Sequence, residues 1–187
     1  AMVELLPIVG SRRLVSWSGT YAAGIGAGHP DNGGDAAWEA LRRHVDALLP
    51  LLDAIEGELL LEPFLAHVLD SPARAAAFCR AVGSPALGLV LDAPNLLPPE
   101  RWGRQAEQIA ALVAELTPYV GLVHLKDMRL LDGALDMPGP GQGLLDYPAL
   151  MGAIADAAIG APMIVEHVRL EQAAAARRFV LRHSRAG

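Results

Sequence analysis

Five short apolar runs, set apart by loops and by stretches of helical periodicity, constrain this chain more than any other feature of its sequence. They are Arg13 to Trp17 (RLVSW), Glu58 to Glu62 (ELLLE), Leu87 to Asp92 (LGLVLD), Val120 to Leu125 (VGLVHL) and Pro162 to Glu166 (PMIVE). Runs that are apolar without alternation read as strands buried on both faces, and strands that each precede a helix imply a parallel sheet covered by helices. The fold class is therefore α/β. Two architectures satisfy the pattern, an open doubly wound sheet and a closed barrel of eight βα units. Five units in 187 residues suit the first better, since a barrel typically takes about 250.

The helices follow from caps and periodicity. Asp35 is the expected N-cap of a helix over Ala36 to about Ala54, in which Trp38, Leu41, Val45, Leu48, Leu49 and Leu52 recur at helical spacing. Ser71-Pro72 opens a helix through about Val82, Pro98-Pro99 opens one carrying Trp102, Ile109, Leu112, Val113 and Leu116, and further helices are predicted from Tyr147 to Ala158 and from Leu170 to His183. Ala1 to Gly10 reads as the end of an amphipathic helix and lacks the basic start and the cleavage site of a signal peptide. Gly19 to Asp35 is too glycine-rich for a regular element and is expected to be a functional or mobile loop, and a second glycine-proline loop, DMPGPGQG, follows the fourth strand.

Composition narrows the function. At 52% hydrophobic, with a net charge of -6 and a mean hydropathy of +0.30, the chain has enough apolar surface to fold and no basic face for nucleic acid. No apolar run reaches the roughly 18 residues of a membrane span. Cys79 is the single cysteine, so an internal disulfide is excluded, which fits a cytoplasmic protein. The whole of residues 1–187 is read as one domain.

The informative polar residues sit where the apolar runs end. Glu62, Asp92, His124 and Glu166 each lie at the C-terminal end of a different strand, and in a parallel α/β fold those ends share the face that binds ligands. A strand-end carboxylate taken alone is often a loop hydrogen-bonding group. Three of them in one dry pocket would push each other's pKa upward unless a cation compensates them. A divalent ion is the simplest remedy, and oxygen-rich ligation with one imidazole suits Mn²⁺, Mg²⁺, Co²⁺ or Zn²⁺. His29 and His67 lie on loops after strand ends, within reach of a ligand. His44 reads as a solvated helix residue, His183 carries no motif, and His167 is expected to point away from Glu166 along an extended strand. Gly24-Ile25-Gly26-Ala27-Gly28 is a weak phosphate-cradle signal, because no helix is expected to start after it.

With those residues in hand, the chain resembles the xylose isomerase-like barrel superfamily of sugar phosphate isomerases and epimerases. The matching strings are SWSG at Ser16 to Gly19, LLLEP at Leu59 to Pro63, GLVLDAPN at Gly88 to Asn95, VHLKD at Val123 to Asp127, PGQGLLDYPAL at Pro140 to Leu150 and MIVEH at Met163 to His167. The resemblance implies a (β/α)8 TIM barrel, N-terminally truncated so that this chain supplies about strands four to eight. It implies that Glu62, Asp92, His124 and Glu166 are metal ligands, and that Glu62 and Glu166 are also the catalytic acid/base pair. Asn95, Lys126 and Arg129 are the implied substrate-binding residues, with Lys126, Asp127 and Arg129 orienting His124 or touching substrate; His67 is expected to join them from its loop position. Asn95 stands where the family often has a histidine, and an amide cannot take over a proton-transfer role.

The expected activity is metal-dependent isomerisation or epimerisation of a small sugar, inositol derivative or hydroxy-ketone, by proton transfer next to a carbonyl. The alternatives are an inosose-type dehydratase and a non-catalytic, degenerate sugar-binding barrel. A sugar-like small molecule is the expected partner, with no nucleic acid and no membrane. The edges of a five-strand remnant would need covering, which points to a homo-oligomer.

Overall fold

A computed structural model of the chain describes residues 2–184. The elements run α1 (Met2–Leu5), β1 (Arg13–Trp17), α2 (Asp35–Asp53), β2 (Glu58–Glu62), α3 (Pro72–Val82), β3 (Leu87–Leu91), α4 (Gln105–Leu116), β4 (Val120–Leu125), β5 (Arg129–Leu131), β6 (Ala134–Asp136), α5 (Tyr147–Asp156), β7 (Met163–Val165) and α6 (Leu170–His183). The strands form a five-stranded sheet in the order β1-β2-β3-β4-β7 and a separate two-stranded hairpin of β5 and β6. In the larger sheet β1 is parallel to β2, β2 to β3 and β4 to β7. The class is α/β with a parallel five-stranded sheet, as the continuous apolar runs require.

The chain divides into two compact units, Ala1–Val90 with Tyr119–Gly121, and Leu91–Pro118 with Leu122–Gly187. In the first, β2 is buried along Leu59, Leu60 and Leu61, and the register sets Val15 opposite Leu60, Trp17 opposite Glu62 and Leu60 opposite Gly88. Gly88 and Gly121 are required by Leu60. A Cβ on either would come within 3 Å of Leu60 Cδ2, at 2.9 and 2.6 Å respectively, so the two strand glycines make room for one core leucine. Helix α3 is capped as its sequence predicts: the Ser71 side chain accepts from the Arg74 N–H, Pro72 fills the first turn, and Gly83 closes the helix at a φ of 68°. Cys79 is buried in α3, and burial pushes its thiol from 9.0 up to about 12.

In the second unit, α4 buries Ile109, Leu112, Val113 and Leu116, and α5 buries Tyr147, Leu150, Met151 and Ile154. The Asp146 side chain caps α5 by accepting from the Ala149 N–H. Strand β7 pairs with β4 so that His124 lies opposite Ile164, and the ladder continues one bond further through Glu166 N–H to the Leu125 carbonyl at 3.0 Å.

Several expectations need correcting. The Gly19 to Asp35 loop is not wholly irregular, because Pro30–Gly33 form a 3₁₀ turn whose start is capped by His29. Residue 34, not Asp35, is the N-cap of α2; it is a glycine and makes no side-chain cap bond. The Pro98-Pro99 start leads first into a 3₁₀ segment over Pro99–Arg104, and the α-helix begins only at Gln105. The hairpin of β5 and β6 has no counterpart in the sequence reading. Among the described residues no helix is long and apolar enough to cross a membrane.

Candidate metal centre

Each member of the strand-end set is delivered by backbone geometry. In β2, alternation puts Glu62 on the same side as Leu60, and the Leu60 to Gly88 register carries that side through β3 to Asp92. The same alternation along β7 puts Glu166 with Ile164, hence with His124 opposite it. Glu62 is 4% exposed, Asp92 1% and His124 6%, so the set is dry apart from Glu166, whose side chain is 27% exposed.

The acids and the imidazole do come together. Asp92, His124 and Glu166 can each offer one ligand atom, and those atoms all lie within 4.8 Å of one another; Glu62 ends β2 in the first unit. His124 Nδ1 lies 3.2 Å from Glu166 Oε2 and 3.9 Å from Asp92 Oδ2. Lys126 joins them from the end of β4: its Nζ is 2.6 Å from Asp92 Oδ2 and 3.9 Å from Glu166 Oε2, and its side chain is only 2% exposed.

The other residues expected to contact substrate have the following partners. Asn95 is fully buried in the 3₁₀ turn after Asp92, its N–H donating to the Asp92 carbonyl at 3.2 Å. His67 is packed edge-on against Trp17 and Phe64, and its Nε2 donates to the Ile25 carbonyl at 2.6 Å, which ties the first glycine loop down. Arg129 is held by the hairpin, with its Nε 2.7 Å from Asp136 Oδ2 and its Nη1 3.2 Å from the Gln142 carbonyl. His167 is not in an extended strand: at a φ of 54° it turns off the end of β7 and bonds the Met137 carbonyl through Nδ1.

Two residues matter that the sequence reading assigned otherwise or passed over. Asp127 is 1% exposed, and its carboxylate accepts three backbone N–H groups, from Met128 at 2.9 Å, Gly141 at 3.0 Å and Leu145 at 2.8 Å. It therefore builds the second glycine loop, and its hydrogen-bond partners are these backbone groups rather than His124. Tyr147, buried in α5, donates its hydroxyl to the Lys126 carbonyl at 2.9 Å. Burial, reinforced by the negative charge of Asp127 and Asp92, holds its phenol far above the usual range, so it remains a donor. Its position at the head of a helix just after the PGQG loop was the available signal.

The sequence profile described as xylose isomerase-like TIM barrel matches residues 2–183. Among solved structures, the chain is similar to a xylose isomerase-like TIM barrel protein from Mycobacterium smegmatis in complex with magnesium, at 20% identity and a TM-score of 0.71 over 97% of this chain and 64% of that one. It is similar to an L-ribulose 3-epimerase at 18% identity and a TM-score of 0.65, over 90% of this chain and 52% of that one. It is also similar to the probable 3-DHS dehydratase AsbF from Bacillus anthracis, at 14% identity and a TM-score of 0.71 over 96% of this chain and 66% of that one. The chain thus spans less than two thirds of the length of each, and at these identities the likeness is one of fold. No curated protein matches the sequence.

Proposed function

This chain belongs to the xylose isomerase-like TIM barrel family, and on that premise we propose that it supplies strands four to eight of the barrel and carries the centre of a metal-dependent sugar isomerase or epimerase. The observation that carries the reading is the convergence of Asp92, His124 and Glu166 to within 4.8 Å, with Glu62 at the end of β2 as the fourth ligand that the family resemblance implies. The donor set fits a divalent ion: three carboxylates and one imidazole, nearly all buried, would be an electrostatically costly group without a cation among them. A divalent ion held there would polarise the carbonyl and hydroxyl oxygens of a ketose or hydroxy-ketone and so acidify the C–H between them.

The protein's own groups then do the proton work. Glu62 and Glu166 stand on different strands, so one carboxylate takes the proton from the carbon beside the carbonyl and the other returns a proton to complete the isomerisation. Glu166, the more exposed of the two, is the group that meets solvent. Asp92 and His124 would hold the ion and stay out of the transfer, and Asn95 offers a hydrogen bond to a hydroxyl but no ionisable proton.

The reading is tested by Mn²⁺ titration calorimetry, followed by proton NMR of a panel of ketoses and inosose-type ketones incubated in D₂O. The expected result is uptake of the metal and deuterium incorporation next to the carbonyl of one substrate. Glu166→Gln should retain metal with weakened affinity and lose exchange by about 10²-fold or more. An absence of metal uptake by the parent chain would favour a non-catalytic sugar-binding barrel. The likeness to a probable dehydratase supports a second reading, loss of water from the same substrate class, which product mass separates from isomerisation.

A further inference from the structure

Lys126 is the only lysine of the chain; every other basic residue that is not histidine is one of fourteen arginines. It is also among the largest fully buried side chains. An ammonium is a compact point charge on a flexible stem, whereas a guanidinium needs room for a planar fork. Here that point charge is placed 2.6 Å from Asp92 Oδ2 and 3.9 Å from Glu166 Oε2, on two of the carboxylates read above as metal ligands. The backbone holds it there from the other end, since the Lys126 carbonyl accepts from the buried Tyr147 hydroxyl.

A buried centre is least costly when its charges sum to zero. Three carboxylates from Glu62, Asp92 and Glu166 against one divalent ion leave one negative charge over, and the Lys126 ammonium cancels it. We propose that Lys126 is a built-in counter-ion of the metal site, a positioning and selectivity residue that sets the accepted ion's charge at two. The inference rests on the metal-binding reading. Its ammonium is engaged by two members of the ligand set. Without it the site would balance a trivalent ion.

The test is a ratio of two affinities, measured by calorimetry on the full chain for Mn²⁺ and for Lu³⁺, ions of similar size and different charge. Lys126→Met removes the charge, and Lys126→Gln removes it while keeping a donor for Asp92, which covers the case in which the methionine variant does not fold. In both neutral variants the Lu³⁺ to Mn²⁺ affinity ratio should rise about 10- to 100-fold over the parent, the Coulombic consequence of deleting one charge several ångströms from the ion. Lys126→Arg retains the charge with a poorer fit, so it should weaken both ions and keep the parent's ratio to within about threefold. A purely structural role would weaken both ions together in every variant. Parent uptake of Mn²⁺ with an unmoved ratio in Lys126→Met and Lys126→Gln would overturn the counter-ion assignment and leave the metal centre standing. Failure of the parent to take up either ion would remove the metal-binding reading, and this inference with it.

Discussion

Loop 19–34 in the first unit and loop 137–146 in the second are both rich in glycine, but the surroundings of those glycines have little in common. At Gly24, Gly26 and Gly33 nothing stands within 4 Å of where a Cβ would be. In the other loop, a Cβ on Gly143 would run into Asp127 Oδ1 and the Met128 carbonyl, one on Gly139 would run into Val168, and one on Gly141 would sit 2.8 Å from the Phe179 ring. Gly141 also has a φ of 82°, so it is required twice over, by conformation and by space. The first loop is tied at a few points by side chains, Asn32 and His67 above all, and the second is packed around one carboxylate. Glycine content alone therefore says nothing about mobility; the difference lies in whether backbone or open space faces the missing Cβ.

The largest expected effect comes from removing what organises the packed loop. Asp127→Ala deletes a buried acceptor of three N–H groups. With charge-assisted hydrogen bonds worth about 1.5–3 kcal/mol each and some water entering the gap, a loss of about 4 kcal/mol is expected. Thermal unfolding should fall by roughly 10 °C for a chain of this size. Amide exchange should also accelerate at Gly141 and Leu145 well beyond what global destabilisation gives. A variant within about 1 kcal/mol of the parent would mean the loop holds itself, and the contrast between the two loops would be lost.

Asn32→Ala probes the other side of the comparison and should cost less, about 2 kcal/mol. Its amide donates to Thr20 Oγ1 at 2.9 Å and to the Ala66 carbonyl at 2.7 Å, and it accepts from the Tyr21 N–H at 2.9 Å. These are neutral hydrogen bonds, individually weaker than those of Asp127. The His67 bond to Ile25 remains as a second tie, so proteolytic nicking should increase within residues 20–34 while the unfolding temperature falls by about 4–8 °C, less than for Asp127→Ala.

The same contrast explains how much of the molecule could be read in advance. Strands β2, β3 and β4 were legible because their runs are apolar without alternation and largely buried, while β1 and β7 were read from short apolar runs that turn out largely exposed, and α3 was legible because Ser71-Pro72 marks its start. The strand-end set was legible because parallel strands must deliver their C-terminal residues to one face. The hairpin of β5 and β6 was not, although Asp132-Gly133 between RLL and ALD is a two-residue turn signal: three-residue strands carry too little pattern, and Leu130, Leu131 and Leu135 stay exposed. Asp127 was expected to orient His124 or to touch substrate, as an outer partner of a metal-bound imidazole. Its actual partners at residues 141 and 145 are reached only once the chain has turned back, which no local pattern encodes. The extended strand expected at His167 is absent for a similar reason, since the ladder ends at Glu166 and His167 turns off at a φ of 54°.

The smallest effect is the most direct check of the loop comparison. Gly26→Ala places a methyl where nothing lies within 4 Å, and the residue is not among those with positive φ. No clash and no backbone strain oppose it, while the added Cβ restricts the unfolded chain. The substitution should therefore be neutral or stabilising by up to about 0.5 kcal/mol, a change of no more than about 2 °C in unfolding temperature. Measured beside the parent, a loss above about 1 kcal/mol would show that residues 19–34 pack against something as tightly as residues 137–146 do. The loops would then have to be treated alike, and the role given to Asn32 as a point tie would give way to one of continuous packing.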